Sequence, residues 1–166
     1  ATSVMTMIVW SFGFLRMGTV GIVAQAYGRS DYREIVKTIL RNVVLAIIAA
    51  FIIIIFSPAL KIAISYFFSP SDETEVLIKT YFNVRIFSIP AELIIYVLVG
   101  FYLGIQKTKI SSFLIIVLSS LNIIFSSLLV LTYDLKVFGV ALGTLISSYI
   151  TSVSYTHLRA HETRFY

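Results

Sequence analysis

Cysteine is missing from the 166 residues, and the two histidines, His157 and His161, both stand among the last ten. The first absence excludes disulfides and thiolate metal sites. The second leaves the rest of the chain without the raw material for Ser–His, Cys–His or His–metal chemistry, so no catalytic residue, metal site or cofactor is assigned. Charge is also scarce. Asp, Glu, Lys and Arg make up 13% of the chain, where a soluble domain carries about 25%. Hydrophobic residues supply 58%. A water-soluble fold of that composition would leave too much apolar surface wet, so the solvent for most of this chain is lipid. The net charge of +5 invites comparison with nucleic-acid binders. No basic patch stands clear of an apolar run, however. The lysines and arginines are read as loop residues facing an anionic cytoplasmic leaflet. The expected partner is the bilayer, and no nucleic acid.

A hydrocarbon core of about 30 Å needs about 20 mainly apolar residues in helical form. Five stretches approach that length, at about 1–27, 42–60, 76–104, 110–131 and 137–151. Gly28 reads as a stop for the first. Asp31 with Glu34, and Asp72 with Glu75, have capping-box spacing for the helices that follow. The second stretch is apolar on every side from Ala46 to Phe56, which a half-wet amphipathic helix could not be. Pro58 reads as its end, Lys61 to Phe68 as a short surface segment, and Ser69-Pro70-Ser71-Asp72 as a turn. The fifth stretch is short for a span. Brief links at 105–109 and 132–136 force neighbouring helices to run antiparallel. Barrel strands would alternate apolar and polar residues over about 10 positions. Phe51 to Phe56 and Leu128 to Leu131 do not alternate. The expected fold is all-α: a polytopic transmembrane bundle.

Orientation follows from lysine and arginine in the short loops. Arg29, Arg33, Lys37 and Arg41 follow the first stretch, and Lys107 and Lys109 follow the third. The other side holds Lys61, Lys79 and Lys136, diluted by Asp72, Glu73, Glu75 and Asp134. The loop from Arg29 to Arg41 is therefore expected in the cytoplasm. The first visible helix then enters from outside, with an odd number of helices before it. The chain begins without a charged n-region or a starter Met, which reads as a fragment cut from a larger protein.

Glu92, Arg85 and Arg16 fall well inside apolar stretches, where a charge is costly and marks function by default. Glu92 is the only carboxylate among them. It sits two residues after Pro90, which removes a helix hydrogen bond and frees the carbonyl of Ile86. A carboxylate at a kink can bind a proton or a cationic drug. It can equally serve as a structural partner for Arg85, seven residues back on the same face. Arg16 lies mid-stretch, where it lines a wet cavity or pairs with a carboxylate outside the visible sequence, unless it stands nearer the interface. Gln25 stands at the inner end of the first stretch, at a cytoplasmic gate or a solvated helix end. Gly100 with Gly104, and Gly139 with Gly143, form GxxxG pairs that allow close helix packing.

Several pieces in order carry a family resemblance. Phe14 to Ile35 reads FLRMGTVGIVAQAYGRSDYREI, and Arg85 to Lys109 reads RIFSIPAELIIYVLVGFYLGIQKTK. Leu121 to Leu131 reads LNIIFSSLLVL, and Phe138 to Ser147 reads FGVALGTLIS. Together they resemble the multidrug and toxic compound extrusion (MATE) family, in its DinF-like branch, over residues 1–151. The resemblance implies helices two to six of a six-helix N-terminal lobe. The first helix and the whole C-terminal lobe would lie outside this sequence, as the missing partners of the same protein. It implies a multi-pass protein of the bacterial inner membrane, a transporter and not an enzyme. The activity implied is antiport: xenobiotics or organic cations leave in exchange for protons or sodium as two lobes rock, and the fragment would be inactive alone. In related transporters the fifth helix carries Asn and Asp four residues apart, with a Thr on the sixth. Here Asn122 and Thr144 match, while Ser126 stands where many members have Asp. The polar lining of the site is kept without its charge, and the same residues can equally serve ordinary interhelical hydrogen bonding. The runner-up reading, a lipid-linked oligosaccharide flippase of the same superfamily, needs a strongly cationic cavity, and only Arg16 and Arg85 are available for one. Finally, residues 152–166 begin SVSYTHLRAHET, which resembles a translated sequencing-adapter read-through and is expected to be a non-native tail.

Overall fold

In the computed structural model, residues 2–68 and 71–162 are described. They form eight α-helices: α1 (Thr2–Ser11), α2 (Gly13–Gly28), α3 (Tyr32–Ile55), α4 (Ser57–Phe68), α5 (Asp72–Arg85), α6 (Ile89–Gly104), α7 (Thr108–Leu131) and α8 (Lys136–Glu162). A 3-10 turn, Ile86–Ser88, joins α5 to α6, and no strand occurs among the described residues. Five segments are long and apolar enough to cross a bilayer: Ser3–Gly28, Tyr32–Ile55, Glu73–Gly104, Thr108–Leu131 and Lys136–Tyr155. The 24 residues of α3 extend about 36 Å at 1.5 Å per residue, enough for the hydrocarbon core.

The centre of the bundle is α6. Ile89, Ala91, Leu93, Ile95, Val97 to Tyr102 and Gly104 are buried, while α2, α3 and α8 surround it and α7 packs on α8. Small residues set these contacts. A Cβ on Gly100 would lie 2.7 Å from the Arg16 carbonyl oxygen and 2.8 Å from Thr19 Cβ, and one on Gly104 would lie 2.7 Å from Val23 Cβ. The α6 backbone thus rests directly on α2. Beside this contact, Asn42 Nδ2 of α3 donates to Thr19 Oγ1 at 2.8 Å, and Thr19 donates to the Leu15 carbonyl at 2.6 Å. The outer faces of α3 and α7 expose large apolar side chains such as Phe51, Ile52, Ile116 and Ile123, as helices bordered by lipid do.

Several boundaries differ from the sequence-based expectation. The first span is interrupted at Phe12, which has no side-chain atom to cap α2, and α1 ends just before it. The helix of the second span starts at Tyr32, not near Asn42, because Asp31 caps it: the Glu34 N–H donates to Asp31 Oδ1 at 3.0 Å. Arg33, Lys37 and Arg41 therefore lie on the first turns of α3, and of the four basic residues only Arg29 is in the connection. Pro58 does not end α3. Phe56 closes that helix, and Pro58 sits in the first turn of α4, where its missing N–H has no partner to lose. Gly28 is the last residue of α2, but the left-handed residue of the turn is Ser30, at φ 56°. The last helix passes Thr151 and reaches Glu162, since the segment holds no proline or glycine to stop it. Ser152 and Tyr155 are buried, and the Tyr155 ring lies 5.8 Å from that of Tyr102. The side chains of His157 and His161, residues 163–166, and Ser69 and Pro70 of the expected turn lie outside the described residues.

Candidate functional site

The site begins with the proline on α6. An α-helix would give the Ile86 carbonyl to the N–H of residue 90, which proline lacks. Here the Ile89 N–H takes that carbonyl instead, one residue early, and the helix tightens into a 3-10 turn. The dihedral angles through Arg85, Ile86, Ser88 and Ile89 all remain helical, so the segment stays one span. The next carbonyl, that of Phe87, accepts the Tyr149 hydroxyl of α8 at 3.2 Å. The irregular backbone is thus satisfied inside the protein, as a membrane interior requires.

Arg85 and Glu92 face each other across this turn. Arg85 Nη1 forms a salt bridge with Glu92 Oε1 and also donates to Ser88 Oγ. Ser88 Oγ in turn donates to the Arg85 carbonyl at 2.6 Å. Both charged side chains are nearly buried, at 11% and 13% exposure. The seven-residue spacing that places the two on one face of a helix also does so across the 3-10 turn.

A second polar group ties α7 to α8. Asn122 Nδ2 donates to Thr144 Oγ1 at 2.9 Å and reaches Ser147 Oγ at 3.5 Å. Ser126 plays another part. Its hydroxyl is buried without a hydrogen-bond partner, and it faces the Gly143 backbone: a Cβ there would meet Ser126 Oγ at 2.4 Å and its nitrogen at 2.6 Å. Gly139 packs less tightly, with Leu135 Cβ at 3.0 Å and the Leu129 carbonyl carbon at 3.2 Å from an added Cβ. Both GxxxG pairs are therefore places of close helix approach.

The two polar groups open on one cavity of about 410 Å³, bordered by α1, α6, α7 and α8 and by Arg85 at the end of α5. Arg85, Glu92, Asn122 and Thr144 all line it. Ser126, Arg16 and Gln25 do not. Arg16 is exposed, with its guanidinium 5.9 Å from the centre of the Tyr96 ring, and Tyr96 itself lines the cavity. Gln25 is exposed at the end of α2, where its carbonyl accepts the Arg29 N–H. The sequence reading missed Trp10, Tyr96, Ser119 and Ser148 as lining residues. Helical spacing from the residues it did find would have reached three of them. Tyr96 is four residues after Glu92, Ser119 three before Asn122, and Ser148 four after Thr144. Trp10 carried no such signal, because α1 contributes no charged anchor.

The arrangement offers a carboxylate, a guanidinium, an amide, several hydroxyls and two aromatic rings in an otherwise apolar wall. No group of three or more His, Cys, Asp or Glu able to hold a metal occurs among the described residues. Such a chamber suits an amphiphilic small molecule, with rings that can face a cationic group.

Five spans packed on small residues, a proline-bearing helix and a polar chamber among them define a multi-pass helical membrane bundle. The family model MatE matches residues 1–128, and the chain belongs to that family. It is 33% identical over 152 residues to the DNA damage-inducible protein F of Escherichia coli (strain K12), covering 91% of this chain and 32% of that protein. The fold is also that of a multidrug resistance MATE family transporter of the MOP superfamily. The inward-facing conformation matches with a TM-score of 0.84 at 22% identity, covering 94% of this chain and 35% of that one. The outward-facing conformation matches with a TM-score of 0.84, covering 94% and 34%. The chain thus spans about a third of the length of the proteins it resembles.

Proposed function

We propose that this chain is most of one lobe of a secondary antiporter that exports xenobiotics, organic cations among them, in exchange for protons or sodium. The observation that carries this reading is the meeting of Arg85, Glu92, Asn122 and Thr144 in one cavity with Trp10 and Tyr96. Charged and polar groups inside a membrane span are costly and are kept where they meet ligands or ions. A chamber at a broken helix between packed spans is the usual setting of a transport site. The equal match to inward-facing and outward-facing relatives supports a lobe that keeps its shape while it rocks against a second one.

The rest of the machine, a first helix and a C-terminal lobe, belongs to the remainder of the polypeptide, and the lobe alone does not transport. The protein sits in the bacterial inner membrane with the Arg29 end of α2 and α3 in the cytoplasm, following the excess of basic residues there. Flipping of a lipid-linked oligosaccharide is less well supported. A pyrophosphate needs an excess of positive charge, and Glu92 already neutralises Arg85. Efflux of ethidium from cells making the full-length protein is the direct test. Cells with it should accumulate less dye than cells without it, and equal accumulation would remove the proposal.

A further inference from the structure

We propose that the outer face of α3 binds an anionic phospholipid: Arg33, Lys37 and Arg41 hold its phosphate, and the apolar ridge beyond them carries its acyl chains. No residue of α3 lines the cavity, so the site stands whether or not the protein transports. Four-residue spacing stacks the three cations on one side of the helix. Ile35, Ile39, Ala46 and Ala50 turn the opposite side to the core. All three cations are exposed, and among the described residues none of them forms an ion pair. Two cations towards the other end of the bundle are engaged: Lys61 donates to Asn83 Oδ1 at 2.7 Å, and Lys79 pairs with Glu75 at 2.7 Å.

Depth makes the anion a lipid. At 1.5 Å per residue the stripe from Arg33 to Arg41 is about 12 Å long, while the polar layer of one leaflet is about 5–8 Å deep. Residues 43–55 are all apolar, so Arg41 stands at the hydrocarbon edge, below bulk water. Lys37 lies one turn further out, at the level of the lipid phosphates, and Arg33 lies at the water side. Snorkelling sends the Arg41 head outward, towards the phosphate that Lys37 meets. Beyond the cations the same face continues as Val44, Ile48, Phe51 and Ile55, all exposed and in register by steps of three and four residues. An anionic head above acyl chains matches that order of charge and apolar surface. A zwitterionic lipid would bring an ammonium group to a cationic stripe, and a soluble phosphate has no chains for the ridge. The wider surroundings favour an anion too. The ends of α2 and α6 lie together, as Gly104 against Val23 shows, so Arg29, Lys107 and Lys109 add their charge to this end. Its carboxylates are Asp31, which caps α3, and Glu34.

Native mass spectrometry of the purified full-length protein, released from micelles doped with phosphatidylglycerol or phosphatidylcholine, tests the site. The wild type should retain phosphatidylglycerol in preference to phosphatidylcholine. Arg33→Gln/Lys37→Gln/Arg41→Gln should bind phosphatidylglycerol at least tenfold more weakly, since each cation near an anionic headgroup is worth about fivefold. The charge-keeping variant Arg33→Lys/Arg41→Lys should retain most of the binding. Lys61→Gln/Lys79→Gln/Lys136→Gln, which removes the same charge from the other end, should bind as the wild type does. Inorganic phosphate in millimolar excess should leave the lipid in place. Equal losses in the two triple variants would reduce the effect to net charge and overturn the site. Unchanged retention in the α3 triple variant, or equal retention of the two lipids by the wild type, would overturn it as well. Displacement by inorganic phosphate would do the same, by marking a site for free anions. Should the α3 triple variant fail to fold, Lys37→Gln alone decides, with an expected loss of about fivefold and no loss as the contrary result.

Discussion

Gly143 of α8 rests on Ser126 of α7 so closely that a Cβ on the glycine would lie 2.6 Å from the serine nitrogen and 2.8 Å from its Cα. These are backbone atoms, and no rotamer change can move them away. Gly143→Ala should therefore force α7 and α8 apart and cost about 1–3 kcal/mol, the usual range for overpacking. Gly139→Ala, whose nearest atom is a leucine side chain at 3.0 Å, should cost less. Ser126→Ala should not rescue Gly143→Ala, because the backbone clash remains. By itself Ser126→Ala should be neutral or slightly stabilising, since the lost hydroxyl has no hydrogen-bond partner. Unfolding of the four variants in mixed micelles ranks them, and rescue by Ser126→Ala would refute the backbone argument.

The Arg85–Glu92 pair should show the asymmetry of nearly buried charges. Removing one partner strands the other, at a cost of about 3 kcal/mol or more. Removing both leaves no unpaired charge. Arg85→Met should thus unfold far more easily than the wild type, while Arg85→Met/Glu92→Met should lie within about 1 kcal/mol of it. Detergent unfolding curves followed by circular dichroism make the comparison. A double variant as unstable as the single one would mean that the pair itself, not the stranded charge, carries the energy.

The Asn122–Thr144 hydrogen bond joins two helices inside the membrane. Such bonds couple by about 0.6 kcal/mol on average and up to about 1.7 kcal/mol. A double-mutant cycle with Asn122→Ala and Thr144→Val should fall in that range. Asn122 also approaches Ser147 at 3.5 Å, so a coupling near zero would indicate that Ser147 replaces Thr144 as the acceptor.

Four described non-glycine residues stand in the left-handed region, Asp134 and Lys136 in one turn, and Ser30 at φ 56° and Gln106 at φ 62° in two others that form a matched pair. Each of these two closes a helix with the same set of bonds. The Asp31 N–H reaches the Ala26 carbonyl and the Ser30 N–H that of Tyr27. The Lys107 N–H likewise reaches Tyr102, and the Gln106 N–H reaches Leu103. Glycine is the usual residue at this place, and an L side chain there costs roughly 1–2 kcal/mol. Ser30→Gly and Gln106→Gly should each raise stability by about 1 kcal/mol, offset in part by the added freedom of the unfolded chain. A loss of stability in both would show that these side chains make compensating contacts.

The sequence alone determined the lipid environment, the five spans and the likeness to the MATE family. Those follow from quantities that add along the chain: apolar length, scarcity of charge, and ordered local motifs. It also marked Arg85, Glu92, Asn122 and Thr144, because polar groups stand out in apolar runs. It marked the Asp31–Glu34 cap, but apolar length alone placed the second span at about 42, because Arg33, Lys37 and Arg41 keep the first turns of α3 out of an apolar run. It could not tell that Asn122 and Thr144 face the chamber while Ser126, one turn on from Asn122, is pressed against Gly143. Only the tertiary structure brought the charged pair of one span and the hydrogen-bonded pair of two others to the same cavity with Trp10. Which residues share a cavity depends on how helices far apart in sequence rotate and approach, and that is settled by the contacts at Gly100, Gly104 and Gly143, not by the pattern along any one helix.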